Sequence, residues 1–378
     1  MKQKGRLKGF QTASTRLEQK VIMDNTQAVE VKQTLKVRSL KLENFSILPN
    51  ADFEFSPYLN VIVAENGCGK SHLLKIIYSL LEVSANEKKR LLKTELQKIF
   101  AEKLINVFRP DSLGRLVKRQ QGRARAEVEL EFETSVHSKI NFASSSTSQV
   151  NVDEIHDENT RIASPVFLPS RELITLCPWF ISLYQNQNIP FEETWFDTCV
   201  LLNHPLAKGP RTKQIQKLLE PIEVAMDGSV IEENGRFYLK QNSQGGKIEA
   251  PLVAEGLRKF VMIARLIATG ALLDKGYLFW DEPEANLNPK LIKVAAEIIF
   301  ALSKQGIQVF IATHSLFLLR ELEILKAKDK NNVLPVRYFS LVVTEDGVKL
   351  EQGNELIDLD TVVALDESLK QSDRFLTL

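Results

Sequence analysis

The sequence is short of the features that define several common protein classes. Its 378 residues hold three cysteines, Cys68, Cys177 and Cys199, too few and too far apart for a disulfide framework or a zinc site. A reducing, cytosolic compartment is the expectation. No apolar run approaches the ~18 residues that span a bilayer, so no membrane segment is expected. The charged N-terminus lacks an apolar stretch behind it, which excludes a secretory signal. Net charge is only +1, so overall charge selects no partner. There is no internal repeat.

What is present is ordinary in bulk and uneven in detail. Apolar residues make up 44% and charged residues 26%, as in a globular chain able to bury one large core or two smaller ones. Residues 1–41 carry ten Lys and Arg against three acids. Arg115 to Arg125 (RLVKRQQGRAR) carries five basic residues and no acid. Beyond Glu351 the chain turns acidic. Residues 1–34 read as a basic arm, either a disordered tail or a short helix.

Hydrophobic periodicity outlines the elements. Leu35 to Phe45 alternates at period two and reads as an edge strand, Phe53 to Phe55 as a short strand, and Tyr58 to Val63 as a buried one. A helix is predicted from Ser71 to about Leu81, and a charged one over residues 86–108. Ala126 to Glu133 alternates as a strand, with Lys139 to Ala143 as a hairpin partner. Residues 144–159 and 241–250 read as loops. Ser164 to Leu168 is a strand, residues 173–225 are helical and aromatic-rich, and Ser229 to Lys240 is a hairpin about Asn234-Gly235. Then come a helix from Gly256 to about Leu273, strand Tyr277 to Trp280, a helix over 290–304, strand Val309 to Ala312 and a helix from Ser315. A hairpin (337–343, 348–352) and a short acidic helix close the chain.

Four stretches carry chemistry. Ala64 to Ser71 reads AENGCGKS between a predicted strand and a predicted helix. A phosphate-binding loop needs glycines there so that backbone N–H groups converge on phosphate oxygens. Gly67 and Gly69 supply that freedom, Lys70 reaches the β- and γ-phosphates, and Ser71 offers its hydroxyl to Mg²⁺. Asn66, Cys68 and His72 complete the candidate ATP contacts. Ala64 stands where the motif has its first glycine, at a strand end where a methyl is tolerable. Leu278 to Pro289 reads LFWDEPEANLNP, which brings Asp281 and Glu282 out at the end of an apolar strand. Asp281 is placed to hold Mg²⁺ and Glu282 to polarise the attacking water. His314, in Thr313-His314-Ser315 after another strand, can sense a γ-phosphate or position the water. Ala254-Glu255-Gly256 opens a helix about 22 residues before the acidic strand.

In this order the four resemble the ABC-type ATPase superfamily, in its SMC/RecF/OLD-like branch. The stretches VFLPSRE, GRFYL, AEGLRK, LFWDEPEANLNP and QVFIATHSLFLLREL look like the small bacterial AAA-type ATP-binding proteins of the OLD and Septu kind. The resemblance covers roughly residues 35–345 and implies an α/β P-loop sheet with flanking helices, an antiparallel β subdomain and an inserted helical lobe. It implies a homodimer sandwiching two ATP molecules, with Glu255 and Gly256 of the signature segment facing the partner's γ-phosphate. Asn288 would hold the acidic position of the D-loop. Ala254 replaces the usual serine, and Pro169 to Glu172 lacks the glutamine expected there.

Other readings fit less well. A transporter motor would carry a fuller signature. A long SMC coiled coil has no room in the 83 residues between Glu172 and Gly256. The 64 residues after His314 fall short of a typical ~100-residue domain, so nuclease or toxin activity is expected in a separate effector chain. The domain plan is a 1–34 arm, ATPase halves at 35–172 and 229–345 around a 173–228 helical lobe, and a 346–378 acidic tail. The functional expectation is a cytoplasmic ATPase switch of an antiphage defence or toxin-like system. The alternative is a RecF- or SMC-like DNA-repair ATPase that binds DNA directly; residues 115–125 and the N-terminal arm are the candidate contacts to a DNA or RNA backbone.

Overall fold

The computed structural model describes residues 35–86, 92–134, 136–154, 162–187, 189–209, 212–243, 245–329 and 334–377. The basic arm at 1–34 lies outside them.

The central sheet has six strands in the order β14-β13-β3-β12-β11-β7. They are β3 (Leu59–Ala64), β7 (Pro165–Leu168), β11 (Tyr277–Asp281), β12 (Gln308–Thr313), β13 (Val336–Thr344) and β14 (Gly347–Gly353). All pairings are parallel except that of the hairpin strand β14. Strands buried on both faces should read as continuous apolar runs, and β3 (LNVIVA) is buried at all six positions. Its side chains alternate between two cores. Leu59, Val61 and Val63 join one apolar cluster, Ile62 and Ala64 the other.

The cluster holding Ile62 is roofed by a five-stranded antiparallel sheet, β2-β1-β4-β5-β6. It comprises β1 (Val37–Glu43), β2 (Ala51–Glu54), β4 (Arg125–Phe132), β5 (His137–Ala143) and β6 (Asn151–Glu154). Helix α1 (Lys70–Asn86) belongs to this core, as does α2 (Lys93–Phe108). The cluster holding Leu59 gathers α3 (Cys177–Asn186), α4 (Glu193–Leu202), α5 (Thr212–Met226), α6 (Glu255–Ala268), α7 (Pro289–Lys304) and α8 (Leu316–Lys328). Its aromatics pack on one another: the Tyr184 and Phe196 rings stack at 4.8 Å, and Phe180 meets Phe191 edge-on at 5.4 Å. Partly buried ion pairs from Lys103 to Glu193 (2.8 Å) and Asp197 (2.9 Å) tie α4 to α2.

A small sheet joins β8 (Gly228–Glu233), β9 (Arg236–Gln241) and β10 (Lys247–Glu249). Asn234 and Gly235 both have positive φ, the backbone that a tight primed hairpin turn requires. The acidic helix α9 (Val363–Leu376) closes the chain and buries none of its residues.

Three expectations change. The first strand is not at an edge: β1 pairs with both β2 and β4, because the shorter β2 takes the outside place. Residues 144–159 and 241–250 were expected as loops, yet each contains a strand, β6 and β10. Both are short, polar and edge-placed, so their pairing comes from a neighbouring strand rather than from their own pattern.

Candidate nucleotide site

Parallel pairing sets three strand ends side by side. Thr313 of β12 pairs with Val63 of β3, and Asp281 of β11 pairs with Ala312 of β12. The loop after β3, the acidic pair after β11 and the histidine after β12 therefore leave the sheet at adjacent points of one carboxyl edge. In open α/β sheets that edge is where ligands bind.

The loop from Glu65 to Gly69 turns on Gly67 and Gly69, both at positive φ. The positive φ at Gly69 calls for glycine, and a β-carbon there would also come within 2.8 Å of the Leu48 side-chain tip, which would have to shift. Ala64 still belongs to β3 and has no left-handed backbone, which is why a methyl group is accommodated. Lys70 opens α1, and its ammonium donates to the carbonyls of Ala64 (2.8 Å) and Glu65 (2.9 Å), closing the loop on itself. Asn66 is exposed, whereas the Cys68 thiol is buried and its pKa is pushed up by burial. The His72 ring is bonded to Ser46 Oγ at 2.6 Å and lies edge-on to Phe108; burial lowers its pKa, with Lys75 adding to the effect.

Ser71 and Asp281, 210 residues apart, meet: Ser71 Oγ donates to Asp281 Oδ2 at 2.6 Å. Among the described residues Asp281 Oδ1 is buried with no hydrogen-bond partner. Burial raises the Asp281 pKa against the opposing Ser71 hydrogen bond. A hydroxyl and an unsatisfied carboxylate oxygen are hard donors that suit Mg²⁺. That ion characteristically takes one or two protein carboxylates and completes its shell with phosphate and water. Among the described residues no cluster of three or more His, Cys, Asp or Glu forms an all-protein cage.

Glu282 follows with φ +46°, a left-handed backbone that costs a non-glycine residue about 1–3 kcal/mol. Its amide donates to Ala312 O (2.9 Å), and His314 Nδ1 lies 3.3 Å from its carboxylate.

Two residues that sequence reasoning left without a role belong to the same cluster. Glu284 is buried, and its Oε1 accepts from Thr313 Oγ1 (2.6 Å) and from the His314 amide (3.2 Å). Lys259, buried on α6, donates to the carbonyls of Glu282 (2.8 Å), Pro283 (3.3 Å) and Ala285 (3.2 Å). A signal for Lys259 existed: it is a lysine on the stripe that also carries Ile263 and Leu266, both buried.

The signature segment sits against the same turn. Ala254 caps α6 without a side-chain hydrogen bond. Glu255 Oε1 accepts from Asn286 Nδ2 at 2.9 Å, and a β-carbon on Gly256 would fall 2.6 Å from Asn286 O. Asn288 caps α7 by accepting from the Leu291 amide. A groove of about 690 Å³ opens here between Leu257, Asn286, Leu291 and Val224 of α5. Glu172, in the loop after β7, lies 3.0 Å from Arg258 Nε as an ion pair that lacks hydrogen-bond alignment.

A P-loop on β3, an acidic strand end on β11 and a histidine after β12, over a sheet roofed by an antiparallel one, define an ABC-superfamily P-loop ATPase. The match to the family model "AAA domain, putative AbiEii toxin, Type IV TA system" spans residues 59–320, and the chain belongs to that family. Among solved structures, the SMC head bound to the C-winged helix domain of ScpA is similar at 14% identity. Its TM-score is 0.55, and the match covers 86% of this chain and all of that one. The SMC head domain from Thermotoga maritima matches at 13% identity and TM-score 0.47, over 85% of this chain and all of that one. No curated protein matches the chain. Among the described residues no helix is long and apolar enough to cross a membrane.

Proposed function

We propose that the chain binds ATP with Mg²⁺ and hydrolyses it, as a homodimeric cytoplasmic switch that controls a separate effector protein. The observation that carries this reading is the Ser71–Asp281 hydrogen bond beside the orphaned Asp281 Oδ1, with Glu282 and His314 adjoining. Lys70 exchanges its bonds to the loop carbonyls for phosphate oxygens, and the amides of Gly67 to Ser71 cradle the phosphate chain. Ser71 and Asp281 would hold Mg²⁺, which would supply charge to neutralise the phosphates. Glu282 accepts a proton from the attacking water, and His314 orients that carboxylate and donates toward the γ-phosphate. Glu255, Gly256 and Asn288 meet the nucleotide of a second copy, so ATP occupancy sets the dimer. The family's toxin–antitoxin description supports placing such a switch in defence against phage or in a toxin-like system.

Glu282→Gln tests this directly. ATP turnover falls about 10²-fold or more while ATP affinity persists, and size-exclusion chromatography with ATP shows a lasting dimer. Turnover near the wild-type rate would remove Glu282 from its role. Affinity capture with that variant, read by mass spectrometry, identifies the effector.

A second reading, direct nucleic-acid binding, has its own observation. Residues 115–125 are an ordered ridge rather than a loose connector. Leu116 and Val117 are buried, Val117 bridges to Phe45, and Arg115, Arg119, Arg123 and Arg125 are exposed.

A further inference from the structure

The residues of the signature helix and those of the hydrolytic edge are joined by a buried connection within one chain. Lysine has three donors, and in Lys259 they are matched by three carbonyls, those of Glu282, Pro283 and Ala285. The turn they belong to contains two non-glycine residues at positive φ, Glu282 (+46°) and Asn286 (+62°). Such a backbone persists only where its surroundings over-determine it. An aliphatic side chain would pack α6 against the sheet with a smaller desolvation penalty, but it could not gather three carbonyls at one point.

From that turn the contacts run onward. The Glu284 carboxylate takes the Thr313 hydroxyl and the His314 amide, and Glu282 presents its own carboxylate to His314. On the other side, Glu255 and Gly256 press on Asn286, and Arg258 reaches Glu172.

We propose that Lys259 is a positioning residue for ATP hydrolysis: it holds the 282–286 turn so that Glu282 and, through Glu284, His314 stand in their working geometry. This rests on the ATPase reading above and adds to it a route by which contact at the start of α6 alters turnover in the same chain. The ammonium sits among carboxylates on three elements: Glu255 on its own helix, Asp281 on β11, and Glu282 and Glu284 on the turn. Burial lowers the Lys259 pKa to about 8 against their pull, so the cation is held at an electrostatic cost that packing alone does not explain.

The test uses the full chain. In Lys259→Met, kcat falls about 10²-fold, since a displacement of roughly 1 Å at a reacting group has that effect, while ATP affinity stays within about twofold. Lys259→Arg, which keeps the charge and several donors, recovers most of the rate. Amide exchange in the nucleotide-free protein reads the clamp without any turnover. Exchange at Ala285, Leu287 and His314 quickens in Lys259→Met, while that at Leu73 in α1 does not. A wild-type chain with no ATPase activity would sink the function reading but leave this exchange result to decide the clamp. Should Lys259→Met fail to fold, Glu284→Gln lowers kcat with ATP affinity retained, and its His314 amide exchanges faster. Unchanged exchange in these variants, or a loss of ATP affinity in step with kcat, overturns the proposal.

Discussion

The two halves of the candidate site are built differently. The strand-end half comprises Lys70, Ser71, Asp281, Glu282 and His314. Asp281, Glu282 and His314 lie at or next to the end of a parallel strand, and Lys70 and Ser71 open the helix that follows the loop after β3, so the sheet edge aims them all. The helix-start half comprises Glu255, Gly256, Lys259, Asn286 and Asn288. None of these is aimed by a strand; they are held by one another across some thirty positions of chain. The first half depends on sheet register and should lose chemistry, not shape, when a side chain changes. The second depends on close packing and hydrogen bonds, so shape and chemistry should fall together unless the substitution spares the packing.

The largest effect is expected in the first half. Asp281→Asn keeps the volume but removes the charge that would hold Mg²⁺, and Mg²⁺-dependent ATP turnover should drop about 10²-fold. The same change relieves a buried carboxylate with an unpartnered oxygen. The nucleotide-free variant should therefore melt higher than wild type, by a stability on the order of 1 kcal/mol. Calorimetry alongside a phosphate-release assay reads both. A variant that loses turnover and melts lower would place Asp281 among structural residues and break the contrast.

Gly256→Ala probes the second half. The new methyl would sit 2.6 Å from Asn286 O, closer than atoms tolerate, and backbone must give way. The expected result is a stability loss of about 1–3 kcal/mol together with a roughly tenfold lower turnover. Gly67→Ala differs in kind: among the described residues no atom lies within 4 Å of its β-carbon, so the resistance there comes from its positive φ. Equal melting of Gly256→Ala and wild type would show that the helix start is looser than its contacts imply.

The same division governs what could be read in the sequence. β3, β11 and β12 are largely apolar runs, and the glycine loop and acidic pair are contiguous in the chain, so the strand–loop–helix and the acidic strand end were legible from pattern, while the full α/β P-loop architecture came with the resemblance to the ABC-type ATPases. β6 and β10 were not, because each is a short polar edge strand whose pairing is supplied by its neighbour. Glu284 could be seen as a third acid beside Asp281 and Glu282, but not as the buried acceptor of Thr313 and His314, which lie about 30 positions away. Lys259 stood out only as a cation on an apolar helical stripe; its three carbonyl partners follow from the left-handed backbone at Glu282 and Asn286, which residue types do not announce.

The basic ridge belongs to neither half, so neutralising it should leave the site intact. Replacing Arg115, Lys118, Arg119, Arg123 and Arg125 with glutamine is expected to leave ATP turnover within about twofold and to lower melting only slightly: four of the five are exposed, Lys118 is half-buried, and Arg125 loses a hydrogen bond to Asn141. Salt-dependent retention of DNA by wild type, lost in this variant, would favour the nucleic-acid reading over the effector reading.

The smallest effect is expected at Asn288, in the helix-start half at the start of α7. Its Oδ1 caps the helix, so Asn288→Ala should lower stability by about 1 kcal/mol, and Asn288→Asp, an equally good cap, should restore it. Turnover separates this structural duty from the proposed contact with a partner's nucleotide. If Asn288 reaches across the dimer, Asn288→Asp stays as stable as wild type yet hydrolyses ATP more slowly, because a carboxylate replaces an amide beside phosphate. If Asn288→Asp matches wild type in both melting and rate, the side chain is a helix cap alone, and the proposed trans contact would have to rest on Glu255 and Gly256.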